Sequence, residues 1–364
     1  MFKIKKQLSK LYLSSVLGNL SLTGAWVAIL AARGYSLVEI GIAETVFHIT
    51  SLIFEIPSGV FADVFGRKKM LIVSTIMRMI GNIIMILSNN IFMVCMSISF
   101  MALTYNFSSG SDEALAYDSL KLARMENRFE KYVSNQLMIY RLCSGISTLC
   151  AGFALTIGYK IAYGTGLAAS VIQIMVLFSL REVYAENPSK DKKMKTGRKL
   201  IACFMESFSF LKEARKAIGL MLCNSFVGAV DILLLFFLQA KLPEKGMSEW
   251  WLGLALLFME MGGIVGSKLI LKFPKRSYKQ IFAISTLLVL TGLLAEHSSL
   301  CWVMTLGGFL AAVGDDALQV RTNTSLQNMF PSKQRATLTS VESFCFSVIM
   351  IVLSPLAGFL FTYW

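Results

Sequence analysis

The sequence predicts an all-α polytopic membrane protein. Of its 364 residues, 55% are hydrophobic and only 16% are charged, whereas a soluble protein carries about 25% charged residues. The apolar residues form repeated stretches of roughly 20, the length that an α-helix needs to cross a hydrocarbon core. Basic residues occupy alternate loops between these stretches. So much apolar surface has to face lipid, and we therefore expect many membrane-spanning helices.

Eleven stretches have the length and composition of a transmembrane helix. In chain order they are 11–32, 36–62, 70–88, 91–117, 134–159, 161–180, 217–240, 250–271, 280–295, 301–326 and 336–361. The polar segment after the sixth ends in an amphipathic stretch, 200–215, which we expect on the membrane surface. The chain thus divides into a six-helix bundle (1–181), a basic cytoplasmic linker (182–215) and a five-helix bundle (216–364).

Positive charge sets the predicted orientation. Lys and Arg cluster in the N-terminal segment and in the loops after predicted helices 2, 4, 6, 8 and 10, and the other loops carry Arg33, Lys160, Lys241 and Lys245. Cytoplasmic loops are enriched in Lys and Arg. We therefore expect the protein in the cell membrane, with its N-terminus in the cytoplasm and, after eleven helices, its C-terminus outside the cell. The net charge is +13, but the basic residues are spread over alternate loops and do not form one basic face. This distribution argues against nucleic-acid binding.

The sequence shows no pattern typical of a metal centre, a disulfide framework or an enzyme. Its seven cysteines are spread through apolar stretches without a Cys-x-x-Cys spacing, and its two histidines, His48 and His297, are far apart. It also lacks the Gly-x-x-x-x-Gly-Lys-[Ser/Thr] loop that binds ATP. We therefore expect no cofactor, no metal and no enzymatic activity, and this chain by itself is not a primary pump.

A short polar turn separates the second and third predicted helices. It reads Gly-Val-Phe-Ala-Asp-Val-Phe-Gly-Arg-Lys-Lys over residues 59–69. Gly59 allows close helix approach, and Gly66 supplies the positive φ that a tight reversal needs. Asp63 and Arg67 are an acid and a base one helical turn apart at the membrane edge. This turn is the most specific motif in the chain.

The pattern Gly-x-x-x-Asp-x-x-Gly-Arg-Lys closely resembles the cytoplasmic loop signature of the major facilitator superfamily (MFS) of secondary transporters. The strings Tyr-Asp-Ser-Leu at 117–120 and Leu-Pro-Glu-Lys-Gly at 242–246 are similar to one bacterial branch of it. The resemblance implies two pseudo-symmetric helix bundles that work by alternating access. The superfamily has twelve helices, so the resemblance also implies that the twelfth, peripheral and lipid-facing, is missing here.

An internal echo supports two related halves. Gly-Ser-Asp-Glu-Ala-Leu at 110–115 in predicted helix 4 is repeated as Gly-Asp-Asp-Ala-Leu at 314–318 in predicted helix 10. Internal repeats of this kind are typical of secondary transporters, whose two bundles descend from one unit.

For the signature turn, the resemblance implies a gate. Asp63 would cap the cytoplasmic start of the last predicted helix, where helix N–H groups favour an anion, and Arg67 would pair with Asp118. Such contacts would exist only while the cytoplasmic side is closed, and would set the balance between outward- and inward-open states. A loop that only orients the helices is the alternative. The gating candidates are Gly59, Asp63, Gly66, Arg67, Lys68 and Asp118.

Ionisable side chains inside a bilayer cost about 2.5–3.5 kcal/mol each on insertion scales, so each is a candidate site residue. A carboxylate at 112 or 113 that competes for Arg141 could bind a proton in one state and release it in another, as proton coupling requires. A static ion pair between predicted helices 4 and 5 is the alternative. His48 could relay protons or only hold a hydrogen bond. The coupling candidates are Asp112, Glu113, Arg141, Glu55, His48 and Asp315.

Polar and aromatic residues on predicted helices 1, 7 and 8 are substrate candidates, because those helices line the cavity in the superfamily. They are Asn19, Trp26, Asn224, Asp231, Gln239 and Glu260. We expect a monomeric secondary transporter in the lipid bilayer that exports a small amphipathic compound, drug or peptide-like, driven by proton entry. Uptake of a small polar metabolite is one alternative, and a truncated MFS-like protein that transports nothing is another.

Overall fold

The computed structural model describes residues 4–183, 215–329 and 335–363, and in these ranges the chain is helical and holds no strand. Residues 184–214, which are nearly all of the predicted linker (182–215) and its surface helix (200–215), lie outside the described residues. The helices are α1 (Ile4–Asn19), α2 (Trp26–Ala32), α3 (Leu37–Phe65), α4 (Arg67–Leu87), α5 (Ile91–Ser108), α6 (Ser111–Leu122), α7 (Phe129–Leu149), α8 (Ala151–Ile157), α9 (Tyr159–Phe178), α10 (Arg215–Glu244), α11 (Glu249–Leu269), α12 (Tyr278–Ala295), α13 (Cys301–Met329) and α14 (Arg335–Tyr363).

Nine spans within the described ranges are long and apolar enough to cross a membrane. α7 and α8 meet at a bend of 51° and would supply a tenth. The first predicted helix is instead divided into α1 and α2, of 16 and 7 residues, which are both too short to span by themselves. The prediction of an all-α polytopic membrane protein is confirmed, whereas the count of eleven spans is not.

Predicted helices 1 and 4 are broken where the sequence suggested continuity. Between α1 and α2, Ser21 Oγ and Thr23 Oγ1 lie 2.6 Å apart, and the Ser21 N–H donates to Ser147 Oγ at 3.0 Å. Side-chain hydroxyls that bond near the backbone compete with helical hydrogen bonds. Between α5 and α6, Gly110 adopts a φ of +71°, which interrupts a right-handed helix. The second break lies in the polar run Ser-Ser-Gly-Ser-Asp-Glu at 108–113, which the predicted continuous helix passed over.

Predicted helix 5 bends between α7 and α8, where α11 passes very close. A Cβ on Gly152 would lie 1.8 Å from the Glu249 carbonyl oxygen, and a Cβ on Gly253 would lie 2.2 Å from that of Leu149. Small residues allow helix backbones to approach this closely in a membrane. Thr156 Oγ1 also donates to Glu249 Oε2 at 2.7 Å. α8 and α11 are therefore joined by close packing and by a hydrogen bond.

By contact, the described residues group into two compact units. Unit 1 is drawn from Met1–Thr23, Thr50–Ser147 and Gly158–Glu206, and unit 2 from Gly24–Ile49, Thr148–Ile157 and Ser207–Trp364. The predicted division at residues 181 and 216 follows the chain, whereas these units follow contacts. The division into two bundles therefore stays a prediction.

In unit 1, α4 packs against α5 and α9, and α1 packs against α9. The core beside them is formed by side chains that are almost fully buried, among them Leu11, Leu71, Leu115, Tyr132 and Leu177. Tyr132 also stacks on Tyr12, with 5.1 Å between the ring centroids. This packing fixes Tyr132, whose hydroxyl contributes to the candidate site.

In unit 2, α13 packs against α10, α11 and α12. Glycines bring α11 and α13 together: a Cβ on Gly262 would lie 2.3 Å from the Phe309 carbonyl oxygen, and a Cβ on Gly266 would lie 2.2 Å from that of Val313. Both distances are far shorter than van der Waals contact. The two helices can therefore approach this closely only with glycine at these positions.

Gly266→Ala is expected to lower the stability of the protein by roughly 1–3 kcal/mol, because the added methyl group has to displace the backbone of α13. The measurement is the apparent melting temperature of the purified protein in detergent, together with its abundance in membranes. Gly164→Ala in α9 is the matched control, since no atom lies within 4 Å of the position of its Cβ. Equal melting temperatures of the two variants would contradict the close packing of α11 on α13.

Candidate functional site

The signature turn connects α3 to α4 and holds an ion pair. Gly66 has a φ of +104°, which lets the chain reverse between the two helices. Arg67 then directs Nη1 to the buried carboxylate of Asp118 on α6 and to the Ala114 carbonyl oxygen at 2.9 Å. The structure thus brings together the two residues that the resemblance pairs, and their gating role stays a prediction.

Lys68 connects the same turn to the end of α9. Its Nζ donates to the carbonyl oxygens of Phe178 (2.8 Å) and Leu180 (2.7 Å), and its backbone N–H donates to Glu182 Oε2 at 3.0 Å. A cation at the C-terminal end of a helix is stabilised by the free carbonyl groups there. Lys68 therefore has a structural role that its position beside Arg67 did not reveal.

Two gating candidates fall where the structure describes the helix but not the side chain. Gly59 and Asp63 lie in α3, and their surroundings are outside the described side chains. The capping of the last helix by Asp63 therefore stays a prediction.

Asp112 lies in the first turn of α6, directly after the break at Gly110. Its Oδ2 accepts hydrogen bonds from the Tyr132 hydroxyl and the Gln136 Nε2, each at 2.6 Å. Tyr132 and Gln136 are one turn apart on α7 and so point to the same side of it. Two neutral donors therefore hold this carboxylate inside the membrane-spanning part of unit 1.

Arg141 is not the partner of Asp112 in this structure. It is exposed on α7, and among the described residues it forms no ion pair or hydrogen bond with Asp112 or Glu113, which is also exposed. Five residues separate Arg141 from Gln136, a rotation of about 140° around the helix. The structure therefore does not show the predicted pairing of Arg141 with a carboxylate of α6; Asp112 is bonded by Tyr132 and Gln136.

Asp112 and Asn19 line a cavity of about 450 Å³ within unit 1. Its wall combines apolar side chains with charged and amide groups, and Ser108, Ser109 and Gly110 at the break contribute to it. A break in a transmembrane helix is tolerated where the freed backbone lines a cavity. The interruption that the sequence did not predict is therefore also the feature that opens this site.

Among the described residues that line the cavity, Arg78 is the only cation. Its Nη1 donates to Gln173 Oε1 at 3.2 Å, and Gln173 Nε2 donates to the carbonyl oxygen (3.0 Å) and hydroxyl (3.1 Å) of Ser14. The position of a Cβ on Gly18 lies 3.3 Å from Arg78 Nη1, so glycine leaves room for the guanidinium. α4, α9 and α1 together position one positive charge at the cavity.

Glu55, another coupling candidate, is paired with an amide in unit 1. Asn106 Nδ2 donates to Glu55 Oε2 and to the Ser51 carbonyl oxygen, both at 3.1 Å. Asn106 is 1% exposed, so the contact holds α5 against α3. This arrangement is typical of a structural hydrogen bond between helices.

Unit 2 contains a group of three carboxylates. Asp231 on α10 is 4% exposed, and its Oδ1 has no hydrogen-bond partner among the described residues. Asp315 and Asp316 on α13 are close enough to act on it electrostatically, and Asp315 packs on Gly228, one turn before Asp231. Two separate predictions, Asp231 for substrate and Asp315 for coupling, therefore fall on one site. No metal-binding group of three or more ligands occurs in the described part of the chain.

The other two candidates on α10 face the same interior. Asn224 is 7% exposed and Gln239 is 8% exposed, and the side-chain oxygen of each lacks a hydrogen-bond donor among the described residues. Asn224 lies about two helical turns before Asp231 on α10, and Gln239 lies about two turns after it. The buried face of α10 thus offers three acceptors in a row.

His48 is buried in unit 2 between α3 and α14. Its Nε2 lies 3.2 Å from Glu44 Oε1, and its Nδ1 lies 3.3 Å from Ser347 Oγ. The rings of Phe47 and Phe346 pack on it edge to face. Both ring nitrogens are thus occupied, one by a contact within α3 and one by a contact that joins α3 to α14, which fits the simpler of the two roles considered for His48.

The remaining substrate candidates make contacts within the helix bundle. Thr148 Oγ1 donates to Glu260 Oε1 at 2.6 Å, which joins α7 to α11. The Trp26 ring packs edge to face on Phe236, with 5.6 Å between centroids. Asn19 donates from Nδ2 to the Ser15 carbonyl oxygen at 2.8 Å, in its own helix. Of the three, only Asn19 lines the cavity in unit 1.

Sequence reasoning did not single out Gln136 and Gln173, which line this cavity, or Tyr132, which bonds to Asp112. It noted Arg78 as an ionisable residue inside a membrane helix but did not place it among the gating, coupling or substrate candidates. Arg78 carried a usable signal, since an arginine in the middle of a transmembrane helix requires a polar partner. The other three carry no charge, and nothing in their spacing shows that Gln136 faces Asp112 or that Gln173 faces Arg78. Only the packing of separate helices brings them together.

A comparison of the sequence with protein families matches the Major Facilitator Superfamily over residues 11–355. The chain is 24% identical over 330 residues to the uncharacterized MFS-type transporter YxaM of Bacillus subtilis (strain 168), an alignment that covers 87% of this chain and 79% of that protein.

Solved transporter structures have the same fold. A crystal structure of the nucleoside transporter NupG matches with a TM-score of 0.74 at 14% identity, covering 100% of this chain and 92% of that one. A bacterial homologue of the human lysosomal transporter Spinster, inward-facing and unoccupied, matches with a TM-score of 0.73 at 15% identity, covering 97% and 80%. At these identities the likeness concerns the fold alone.

Proposed function

Because this chain belongs to the Major Facilitator Superfamily, a family of transporters and not of enzymes, we propose that it exports a small amphipathic compound, drug or peptide-like, in exchange for protons. The cavity in unit 1 carries this proposal. Its wall is apolar at Leu71, Val133 and Leu137 and charged at Arg78 and Asp112, so it suits a compound with an apolar body and polar groups. Its volume of about 450 Å³ is within the usual range for small-molecule sites, roughly 300–1,000 Å³.

We assign proton coupling in unit 1 to Asp112. This carboxylate lines the cavity and is held by the hydroxyl of Tyr132 and the amide of Gln136. A charged carboxylate inside a membrane requires donors such as these. Proton binding would remove the charge that these donors hold, so Asp112 would bond differently in its two protonation states. That difference is what coupling to a conformational change requires.

The carboxylates of unit 2 support the same assignment. Asp231, whose Oδ1 has no hydrogen-bond partner among the described residues, and Asp315 place like charges near each other inside the membrane, which is costly. A proton, or a positively charged group of the substrate, would compensate them. We therefore propose Asp231 and Asp315 as a second position where cation and carboxylate meet during the transport cycle.

The pairing of Arg67 with Asp118 supports a gate at the signature turn. Asp118 is buried at 6% exposure, and separating a buried ion pair is costly because it leaves a charge without a partner. We propose that this pair is broken when the cytoplasmic side opens. We also propose that the protein acts as a monomer in the cell membrane, with its N-terminus in the cytoplasm.

Transport by the purified protein in proteoliposomes tests this function. A pH gradient is imposed in either direction, and the movement of amphipathic cations, dipeptides, nucleosides and sugars is measured. We expect an amphipathic compound to move against proton flow and to stop when a protonophore collapses the gradient. Movement of a polar solute together with protons would instead indicate uptake. Protein-free liposomes give the background rate. If no compound moves faster than this background in response to the gradient, the transport proposal is wrong.

A further inference from the structure

Unit 2 has a second cavity, of about 470 Å³, that the proposed transport function does not use. It is a groove between the N-terminal parts of α10 and α12, with Met329 at the end of α13 contributing to its wall. Gly219, Cys223 and Phe282 line its interior. Apart from two lysines at its rim, the groove is lined almost entirely by apolar atoms.

Hydrogen bonds hold the three helices around this groove in place. The Tyr278 hydroxyl lies 3.1 Å from Thr322 Oγ1 on α13 and donates to the Leu220 carbonyl oxygen on α10 at 3.3 Å. The polar end of Tyr278 is therefore used within the protein, and only its ring contributes to the groove wall. At Gly219, no atom lies within 4 Å of the position of a Cβ, so the groove is open there.

The two lysines at the rim are Lys216 on α10 and Lys279 on α12. Both are exposed, and no described carboxylate lines the groove or pairs with either ammonium group. Each is the second residue of a membrane-spanning helix, so both charges lie where lipid headgroups lie. Cys223 is seven residues further along α10, about 10 Å deeper along the helix, at the level of acyl chains.

We propose that this groove binds one anionic phospholipid, with an acyl chain along its apolar wall and the phosphate between Lys216 and Lys279. The charge at the rim and the apolar wall below it match the two parts of such a lipid. Basic pockets between transmembrane helices are known to bind anionic headgroups. A soluble phosphate compound would use the lysines but not the wall, and a neutral lipid would use the wall but not the lysines.

Native mass spectrometry of the delipidated protein, titrated with phosphatidylglycerol or phosphatidylcholine of the same acyl chains, tests the proposal. We expect phosphatidylglycerol to bind preferentially, and the double variant Lys216→Gln/Lys279→Gln to weaken its binding by roughly tenfold. The double variant Lys272→Gln/Lys275→Gln is the matched control, because it removes the same charge from the neighbouring loop outside the groove. Equal binding of the two lipids, or an equal loss in both double variants, would overturn the proposal.

Gly219→Phe tests the apolar wall with both lysines kept. The open space at Gly219 accepts the ring, so we expect a folded protein that no longer binds phosphatidylglycerol preferentially. Unchanged binding would exclude the groove as the site.

Maleimide labelling of Cys223 identifies the occupant. Phosphatidylglycerol should slow the labelling of Cys223 but not of Cys95 on α5, and glycerol 3-phosphate, which has the charge without the acyl chain, should not slow it. Equal protection by glycerol 3-phosphate would show a site for soluble anions. A crosslink from Cys223 to residues 184–214 that persists with the lipid would make this chain's own segment the occupant.

Discussion

Asp112→Asn is expected to reduce pH-gradient-driven transport by about tenfold or more, equivalent to about 1.4 kcal/mol of lost coupling. Asparagine keeps an acceptor oxygen for Tyr132 and Gln136 but cannot exchange a proton. The loss should therefore be larger for gradient-driven movement than for exchange of labelled substrate at equal pH on both sides. The measurement compares these two rates in the same proteoliposomes.

Glu126→Gln provides the control for this prediction. Glu126 lies in the exposed turn before α7, so its neutralisation removes the same charge outside the cavity and should leave both rates close to the original. If Asp112→Asn retains full gradient-driven accumulation at equal protein density, Asp112 is not the coupling group. If both rates fall in parallel, Asp112 binds substrate without coupling protons.

Arg78→Gln is expected to weaken substrate binding by roughly 10- to 100-fold, since hydrogen bonds to charged groups contribute about 1.5–3 kcal/mol. Arg78 is the only cation among the described residues that line the cavity, and glutamine retains a donor for Gln173 while removing the charge. The measurement is the dissociation constant of the compound that the transport assay identifies.

Two further variants separate charge from fold in this prediction. Arg78→Lys should keep part of the affinity, because it keeps the charge but loses the planar guanidinium. Arg128→Gln, in the exposed turn before α7, should bind as well as the original protein. Unchanged affinity in Arg78→Gln would mean that Arg78 serves only to hold Gln173 and Ser14.

Several sequence predictions depended on local patterns and were accurate for that reason. Apolar stretches of about 20 residues predict membrane helices without any knowledge of their neighbours, and the described spans lie where they were expected. Membership of the Major Facilitator Superfamily was predicted from the turn at 59–69 and is confirmed by the match over residues 11–355. Arg67 and Asp118, which the resemblance paired, lie in contact.

The partners of individual side chains required knowledge of how separate helices face each other. The predicted partner of a carboxylate at 112 or 113 was Arg141, because these are ionisable groups in predicted helices 4 and 5. In the structure, Asp112 bonds instead to Tyr132 and Gln136, and Gln136 lies on a different face of α7 from Arg141. His48, Glu55 and Glu260 were singled out because they are ionisable. In the structure, each bonds to a polar group of a neighbouring helix.

By itself, the sequence determined that this protein lies in a membrane, where its helices run and which turn defines its family, because hydropathy and turn chemistry are properties of consecutive residues. The tertiary structure alone decided which side chains face each other, which carboxylate has which donors and where a cavity opens. Those properties depend on the rotation and close approach of helices that are distant in sequence. The break at Gly110 shows the difference: the Ser and Gly residues at 108–111 are a local signal for a break, whereas only the surrounding helices make that break one wall of a cavity.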